Sequence, residues 1–468
     1  MVPMKPVTTA EGRSLTSGCL EAGEDVGIDV SLETPEQIRS LQTKLYAKAK
    51  AEPTYRFYLL YDKVYREDIL AHAYRLARSN GGAPGMDKVS FEDIEASGVE
   101  EWLAGLRKEL RTETYRAQPV RRAMIPKPGG GERPLGIPTI RDRVAQTAAK
   151  LVLEPIFEAD LSSSAFGYRP GRSAQDAVEQ VHQGLCDGYT DVVDADLSKY
   201  FDTIPHDQLM QSVARRVSDG KMLRLIKAWL KTPVEETDER GNRRMTGGKS
   251  SRMGTPQGGV ISPLLANIYI NRFLRVFVER GKDREFAARL INYADDFVIL
   301  SRGRAKEALE WTRRVMAAIG LTLNETKTCI RSGRLEQFHF LGYTFGPDRN
   351  RKDGRWYLAA KPSSKSVRRL KDKVREQLGP GNKDPLPDVV RALNRLLRGW
   401  AAYFSHGSTF VAYRSVDAHV YERMRNFLRR RHKVSTRGTR VFGWDRVFGT
   451  LGVTSLGALR GRTAVSLA

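Results

Sequence analysis

Apolar positions along the chain fall into two periods, and the change of period predicts the change of structural class. Thr34-Pro35-Glu36 offers a helix cap followed by proline at the first helical position, and Leu41, Leu45 and Ala49 continue at helical spacing. A second helix is predicted over Tyr55–Arg78, ending at the breaker run Asn80–Gly85. Lys127–Arg133 reads as a hairpin tip between strands at 122–126 and 135–137, and Arg141–Phe157 as a helix. From Tyr189 the period falls to two: Val192, Val193, Ala195 and Leu197 interleave with Asp194 and Asp196, so the two acids share a face. Leu290–Leu300 reads as a hairpin with apolar arms and an acidic centre, between helices at Ser262–Arg280 and Arg304–Ile319. Strands at Phe338–Tyr343 and Trp356–Leu358 flank a turn-rich stretch, Gly346–Gly354. Three amphipathic helices are then written in Val367–Leu378, Val389–Phe404 and Val416–Leu428, with a linker at Leu378–Pro387. The pattern is α+β, closing in an all-α bundle. Residues 1–34 are polar, carry no period and are expected to be poorly ordered.

Charge sharpens this picture. The 468 residues are 40% hydrophobic, which excludes a wholly disordered chain, and carry a formal net charge of +23. Residues 361–468 hold 23 Lys and Arg against 7 Asp and Glu, whereas residues 1–52 hold 6 against 8. Trp400, Tyr403, Phe404, Tyr413, Tyr421 and Phe427 interleave with the basic residues, a composition suited to phosphates and exposed bases. No apolar run approaches the ~18 residues of a membrane span. The start, MVPMKPVTTAEGR, lacks the hydrophobic stretch of a secretory signal. Three scattered cysteines (Cys19, Cys186, Cys329) argue against a disulfide framework and for a reducing cytoplasm.

Two acidic sites stand out: Asp196 in Asp-Ala-Asp-Leu-Ser-Lys-Tyr-Phe-Asp, and Asp295-Asp296 in Tyr-Ala-Asp-Asp. Either alone suits an ordinary turn. Together, acids on apolar strands demand compensation, and a pair of Mg²⁺ ions supplies it, sharing carboxylates with substrate phosphates. Such a pair serves in-line nucleotidyl transfer, assisting the attacking 3′-hydroxyl and the pyrophosphate leaving group.

Tyr293–Asp296 within an apolar hairpin resembles the hallmark of reverse transcriptases. Over roughly residues 35–440 the chain resembles the reverse transcriptase/maturases encoded by bacterial group II introns. The ordered segments GGAPGMDKV (81–89), IPKPGGGERPLGIPTI (125–140), FGYRPGRSA (166–174), DLSKYFD (196–202), GTPQGGVISPLLAN (254–267), NYADDF (292–297), GLTLNETKT (320–328), FLGY (340–343) and RGWAAYF (398–404) carry the likeness.

The resemblance implies a right-hand polymerase, with fingers and a palm built on an antiparallel sheet, followed by the helical thumb or maturase bundle. Its boundaries are a poorly ordered segment at 1–34, an N-terminal extension and fingers at 35–188, a palm at 189–360, the thumb at 361–432 and a basic extension at 433–468. It implies RNA-directed DNA synthesis and intron-splicing assistance, with group II intron RNA, target DNA, a primer strand and dNTPs as partners. It makes Asp196, Asp295 and Asp296 catalytic ligands of two Mg²⁺ ions, assisted by the Leu197 carbonyl. Phe201 matches the aromatic gate that favours deoxyribose. Lys127, Arg133 and Arg121 match residues gripping the triphosphate, Gln257 one near the templating pair, and Lys327 one beside the pyrophosphate. Arg368, Arg369, Arg395, Arg398, Arg425, Arg429, Arg430 and Arg431 are implied RNA contacts. His406, His419 and His432 are widely separated and no cysteine follows Cys329, so the His-Asn-His endonuclease of longer relatives is expected to be absent. A catalytically silent splicing factor, or another bacterial reverse transcriptase such as a retron, diversity-generating or defence-associated enzyme, stays open on sequence alone.

Overall fold

A computed structural model describes residues 33–126, 132–237, 243–256, 258–350 and 353–459. Lys127 and Gln257 lie outside the described residues, as do residues 1–32, and of Arg133 only the backbone is described.

The strands are β1 (Val120–Pro126), β2 (Glu132–Ile137), β3 (Asp191–Asp196), β4 (Pro233–Thr237), β5 (Arg243–Gly247), β6 (Ala288–Tyr293), β7 (Asp296–Ser301), β8 (Cys329–Ser332), β9 (Phe338–Phe340), β10 (Tyr343–Arg349) and β11 (Trp356–Pro362). They form three sheets, ordered β2-β1-β4-β5, β6-β7-β3-β8 and β11-β10-β9. The first is not purely antiparallel: β1 and β4 run parallel, with Val120 opposite Val234. The chain divides into two units, one of residues 1–173, 193–299 and 303–329, the other of 174–192, 300–302 and 330–468.

The first unit is organised around the helix Ile140–Glu158, buried on nearly every side at Val144, Ala145, Ala148, Ala149 and Val152. Thr139 caps it, its hydroxyl accepting the Asp142 N–H at 3.2 Å. A second buried helix, Ser262–Glu279, packs Phe273 and Phe277 against Trp311, with ring centroids 5.8 and 5.7 Å apart. Helical periodicity alone misreads the segment after Ala51. Tyr55–Leu60 is not helical; the helices are Tyr61–Val64 and Glu67–Asn80. The cause is tertiary: the Phe57 N–H donates to the Arg216 carbonyl at 2.7 Å, and the Asp219 carboxylate accepts the Leu60 and Tyr61 N–H groups, both at 2.8 Å.

In the second unit β10 extends into the stretch expected to be turns, taking in Gly346–Arg349. Gly346 permits this, since a Cβ there would lie 2.6 Å from the Glu336 carbonyl oxygen and φ is +126°. The helices Ser364–Gln377, Leu386–Tyr403 and Phe410–Arg431 form the bundle, joined through Leu370, Val374, Leu393, Leu397, Val416 and Val420. The Leu378–Pro387 linker lies inside this bundle, between its first two helices. It is tied down there, Arg430 donating to the Leu378 carbonyl at 3.0 Å and Arg431 to that of Asp384 at 2.7 Å.

Residues beyond 432 add Phe442, Val447, Val453 and Leu456 to the bundle core. Asp417, 4% exposed, secures them: its carboxylate accepts the Ser455 hydroxyl at 2.8 Å and the Leu456 and Gly457 N–H groups at 2.8 and 2.9 Å. Asp417→Ala strands those donors and lowers stability by about 2–3 kcal/mol. Thermal unfolding of the full chain checks this; an unchanged midpoint contradicts it.

Candidate active site

The acidic residues are set by β3 and by the β6–β7 turn. Along β3, Val193 and Ala195 are buried while Asp194 and Asp196 share the half-buried face, the pleat at work. In the turn, Ala294 takes a left-handed φ of +58°. Asn292, 1% exposed, holds it, its amide donating to the Ala294 carbonyl at 2.9 Å and to that of Asp296 at 3.3 Å. The Phe166–Tyr168 loop locks the turn from below: the Phe166 N–H donates to the Asn292 carbonyl at 2.9 Å, and the Asn292 N–H to that of Ser164 at 2.8 Å. A Cβ on Gly167 would sit 2.5 Å from the Ala294 nitrogen, so glycine alone fits. Asn267 fixes that glycine, donating to its carbonyl at 2.8 Å. Three segments that read separately in the sequence thus meet at one turn.

The carboxylates feel one another. Asp296 keeps solvent access although protein atoms surround it. Its carboxyl is pushed up to about 8, first by desolvation, then by the charges of Asp295, Asp196 and Asp194, with Lys327 opposing. Asp196 is held on the other side, its Oδ2 accepting from Lys327 Nζ at 3.0 Å and Asn324 Nδ2 at 3.1 Å. That contact raises the Lys327 ammonium above its ordinary value. Leu197 pairs with Leu323, while the Asn324 N–H donates to the Asp196 carbonyl at 2.8 Å. In this arrangement, among the described residues, no three acidic, imidazole or thiol side chains converge into a ready-made metal cluster. Asp194 and Asn324 were missing from the sequence-derived site. Their signals were the period-two pattern and the GLTLNETKT segment.

Phe201 is a core residue, 7% exposed, whose carbonyl accepts the Thr255 N–H at 2.7 Å. Its ring meets Tyr168 edge-on at 6.4 Å and Tyr200 at 5.6 Å. Arg121 spends its guanidinium on the Pro84 carbonyl, at 2.8 and 3.3 Å. It lines a recess of about 250 Å³ with Lys88, Glu235 and Arg243. Arg133 is placed only by its backbone, opposite Ile125.

In the bundle, Arg368, Arg395, Arg398, Arg430 and Arg431 are exposed, and Arg369, Arg425 and Arg429 half-buried. Arg398 also donates to the Thr454 hydroxyl at 3.2 Å. The three C-terminal histidines make separate contacts: His406 lies 3.0 Å from His182, His419 3.1 Å from the Lys371 carbonyl, and the His432 ring is tilted against Phe442 at 5.6 Å. Among the described residues no helix is long and apolar enough to cross a membrane.

Residues 125–345 match the family described as reverse transcriptase (RNA-dependent DNA polymerase), and residues 367–442 the group II intron maturase-specific domain. The chain belongs to the reverse transcriptases and carries that maturase domain behind its polymerase region. It is similar to Protein YkfC of Escherichia coli K12, 35% identical over 67% of this chain and 90% of YkfC. It is likewise similar to the group II intron-encoded protein LtrA of Lactococcus lactis, 35% identical over 50% of this chain and 38% of LtrA. The 91 kDa protein of the Schizosaccharomyces pombe cob intron is 26% identical over 74% of this chain and 50% of its own. Apart from YkfC, the chain thus spans half or less of these relatives. A solved Candida albicans telomerase bound to a telomeric RNA fragment aligns with a TM-score of 0.41 at 12% identity, over 76% of this chain and 70% of that one. Reverse transcriptases generally work with divalent metal ions.

Proposed function

We propose that this chain copies RNA into DNA from a primer 3′-hydroxyl and also holds group II intron RNA in its splicing-competent fold. The observation that supports the reading is the Asp296 carboxyl, raised to about 8 first by desolvation and then by the neighbouring charges of Asp295, Asp196 and Asp194. Crowded carboxylates of that kind suit hard cations with oxygen ligands, so the donor set fits Mg²⁺. Asp196, Asp295 and Asp296, with the Leu197 carbonyl, would hold two Mg²⁺ ions. When bound, these ions lower the barrier by polarising the attacking hydroxyl and neutralising charge on the leaving pyrophosphate.

The chain's own residues do the rest. Lys327, freed from Asp196, supplies positive charge beside the pyrophosphate. Lys127 and Arg133 of the fingers grip the triphosphate, joined by Arg121 once it leaves the Pro84 carbonyl, and Gln257 borders the templating pair. The Phe201 ring crowds a ribose 2′-hydroxyl and so favours dNTPs. The arginines of the bundle take RNA phosphates, and target DNA supplies the primer strand. The resulting ribonucleoprotein is cytoplasmic and joins the nucleoid when it meets its target. We divide the chain into fingers (35–188), palm (189–360) and a thumb that begins at 361 and takes in the tail beyond 432, whose Phe442, Val447, Val453 and Leu456 join the bundle core.

Phe201→Ala tests the gate: ribonucleotide incorporation, measured against dNTPs in competition, rises by about tenfold or more, each lost 1.4 kcal/mol of steric discrimination being a factor of ten. Unchanged sugar selectivity removes the assignment and leaves Phe201 a packing residue. The activity itself is tested by extension of a primer on an RNA template alongside a splicing assay with intron RNA. Splicing assistance with no DNA product identifies a silent maturase.

A further inference from the structure

We propose that Trp444 is the floor of a binding site for an unpaired RNA base, flanked by arginines that take the adjoining phosphates. The site deepens the maturase reading and rests on it for the identity of the polymer. Trp444 lies just beyond residues 367–442, the span matched by the maturase-specific domain.

Its neighbours Phe442 and Val447 are buried at 3% and 0%, yet Trp444 itself is 46% exposed. The indole is nevertheless fixed. Its ring centre lies 5.2 Å from that of Tyr421, on the helix Phe410–Arg431, and 4.4 Å from that of Phe448. Both rings are tilted by 44° to the indole, so neither lies flat against it, and nearly half of the residue stays exposed. A tryptophan needed only for packing would turn its large surface inward, because burying it is favourable.

Charge around the ring selects the occupant. The Arg425 guanidinium lies 5.5 Å from the Tyr421 ring centre, and that of Arg446 5.5 Å from Phe442. The Arg425 Nε is buried without an acceptor. Residues 433–459 contain Lys433, Arg437, Arg440 and Arg446 against a single acid, Asp445. Arg446 Nη1 also donates to the Val441 carbonyl at 3.4 Å, and the remaining in-plane donors of arginines stacked on rings stay available to phosphate oxygens. An aromatic face bordered by such donors accepts any base whose own face is free, which an unpaired nucleotide offers and the interior of a duplex does not. A duplex hides its bases in the stack, so duplex RNA engages the arginines alone.

The test uses the full chain and a single-stranded RNA carrying 2-aminopurine, with blunt duplex RNA as comparison. Binding to wild type quenches the 2-aminopurine. W444L weakens single-strand binding by about tenfold, as loss of one stacked base does, and abolishes the quench. It lowers duplex affinity by a much smaller factor, and W444Y restores both affinity and quench. Equal losses on single strand and duplex, or no loss on either, overturn the site. Failure of wild type to bind either RNA overturns the maturase reading together with it.

Discussion

Asp295→Ala combined with Asp296→Ala reduces DNA synthesis to background, a loss of about a thousandfold or more, since several kcal/mol of transition-state charge stabilisation disappear. Affinity for intron RNA stays close to wild type, because the bundle arginines belong to the other unit of the chain. Gel-based primer extension and filter binding on the same preparations separate the two effects. Lost RNA binding contradicts separable roles. A second arm follows from protonation. The folded Asp296 carboxyl holds its proton up to about pH 8, so folding takes up a proton between the ordinary carboxylate range and that value. Stability from this group therefore falls as pH rises through the window. With chelator present, the double variant melts higher than wild type at pH 8, and the difference shrinks towards pH 5. Mg²⁺ stabilises wild type more at pH 8 than at pH 6, since the ion competes with that proton. A pH-independent difference contradicts the crowded-carboxylate account.

The second large effect lies in the bundle. Arg368→Gln, Arg395→Gln, Arg398→Gln and Arg430→Gln together weaken intron RNA binding by an order of magnitude or more at low salt. The slope of log affinity against log salt falls by about three, at ~0.7–0.9 per phosphate contact. An unchanged slope means that these charges do not face RNA. Substitution is the better experiment than removing residues 361–468. Within that unit the helix Ala174–Cys186 depends on the bundle: Gln175 donates to the Ala402 carbonyl at 3.4 Å and His182 pairs with His406 at 3.0 Å. Truncation strips that helix of its partners and confounds RNA binding with folding.

These contacts mark the boundary of what the sequence makes legible. Period-two alternation placed β3 and put Asp194 and Asp196 on one face, and the acidic centre of an apolar hairpin located the β6–β7 turn. Both are local signals. The Tyr55–Leu60 segment was misread because its conformation is dictated by Asp219, over 150 positions away. The Leu378–Pro387 stretch has linker composition, yet arginines more than 45 positions later bind its carbonyls. The tail beyond 432 looked merely basic. Phe442, Val447, Val453 and Leu456 are too irregularly spaced to show a helical stripe, although all enter the bundle core. At the candidate site the three aspartates were legible, whereas the parts that hold them were not. Gly167, Asn267 and Asn292 sit in separate segments, and only the fold shows that they clamp one turn. Asn324 and Lys327 likewise reach Asp196 from about 130 positions away.

The central claim is that Asp196 and the Tyr-Ala-Asp-Asp turn form one working polymerase centre. The most direct measurement is extension of a DNA primer on an RNA template by the wild-type full chain, with dNTPs and Mg²⁺ titrated from zero. Product that is absent in chelator and rises to saturation with Mg²⁺ is the predicted result. No extension at any Mg²⁺ concentration, from protein that still binds the template, contradicts it.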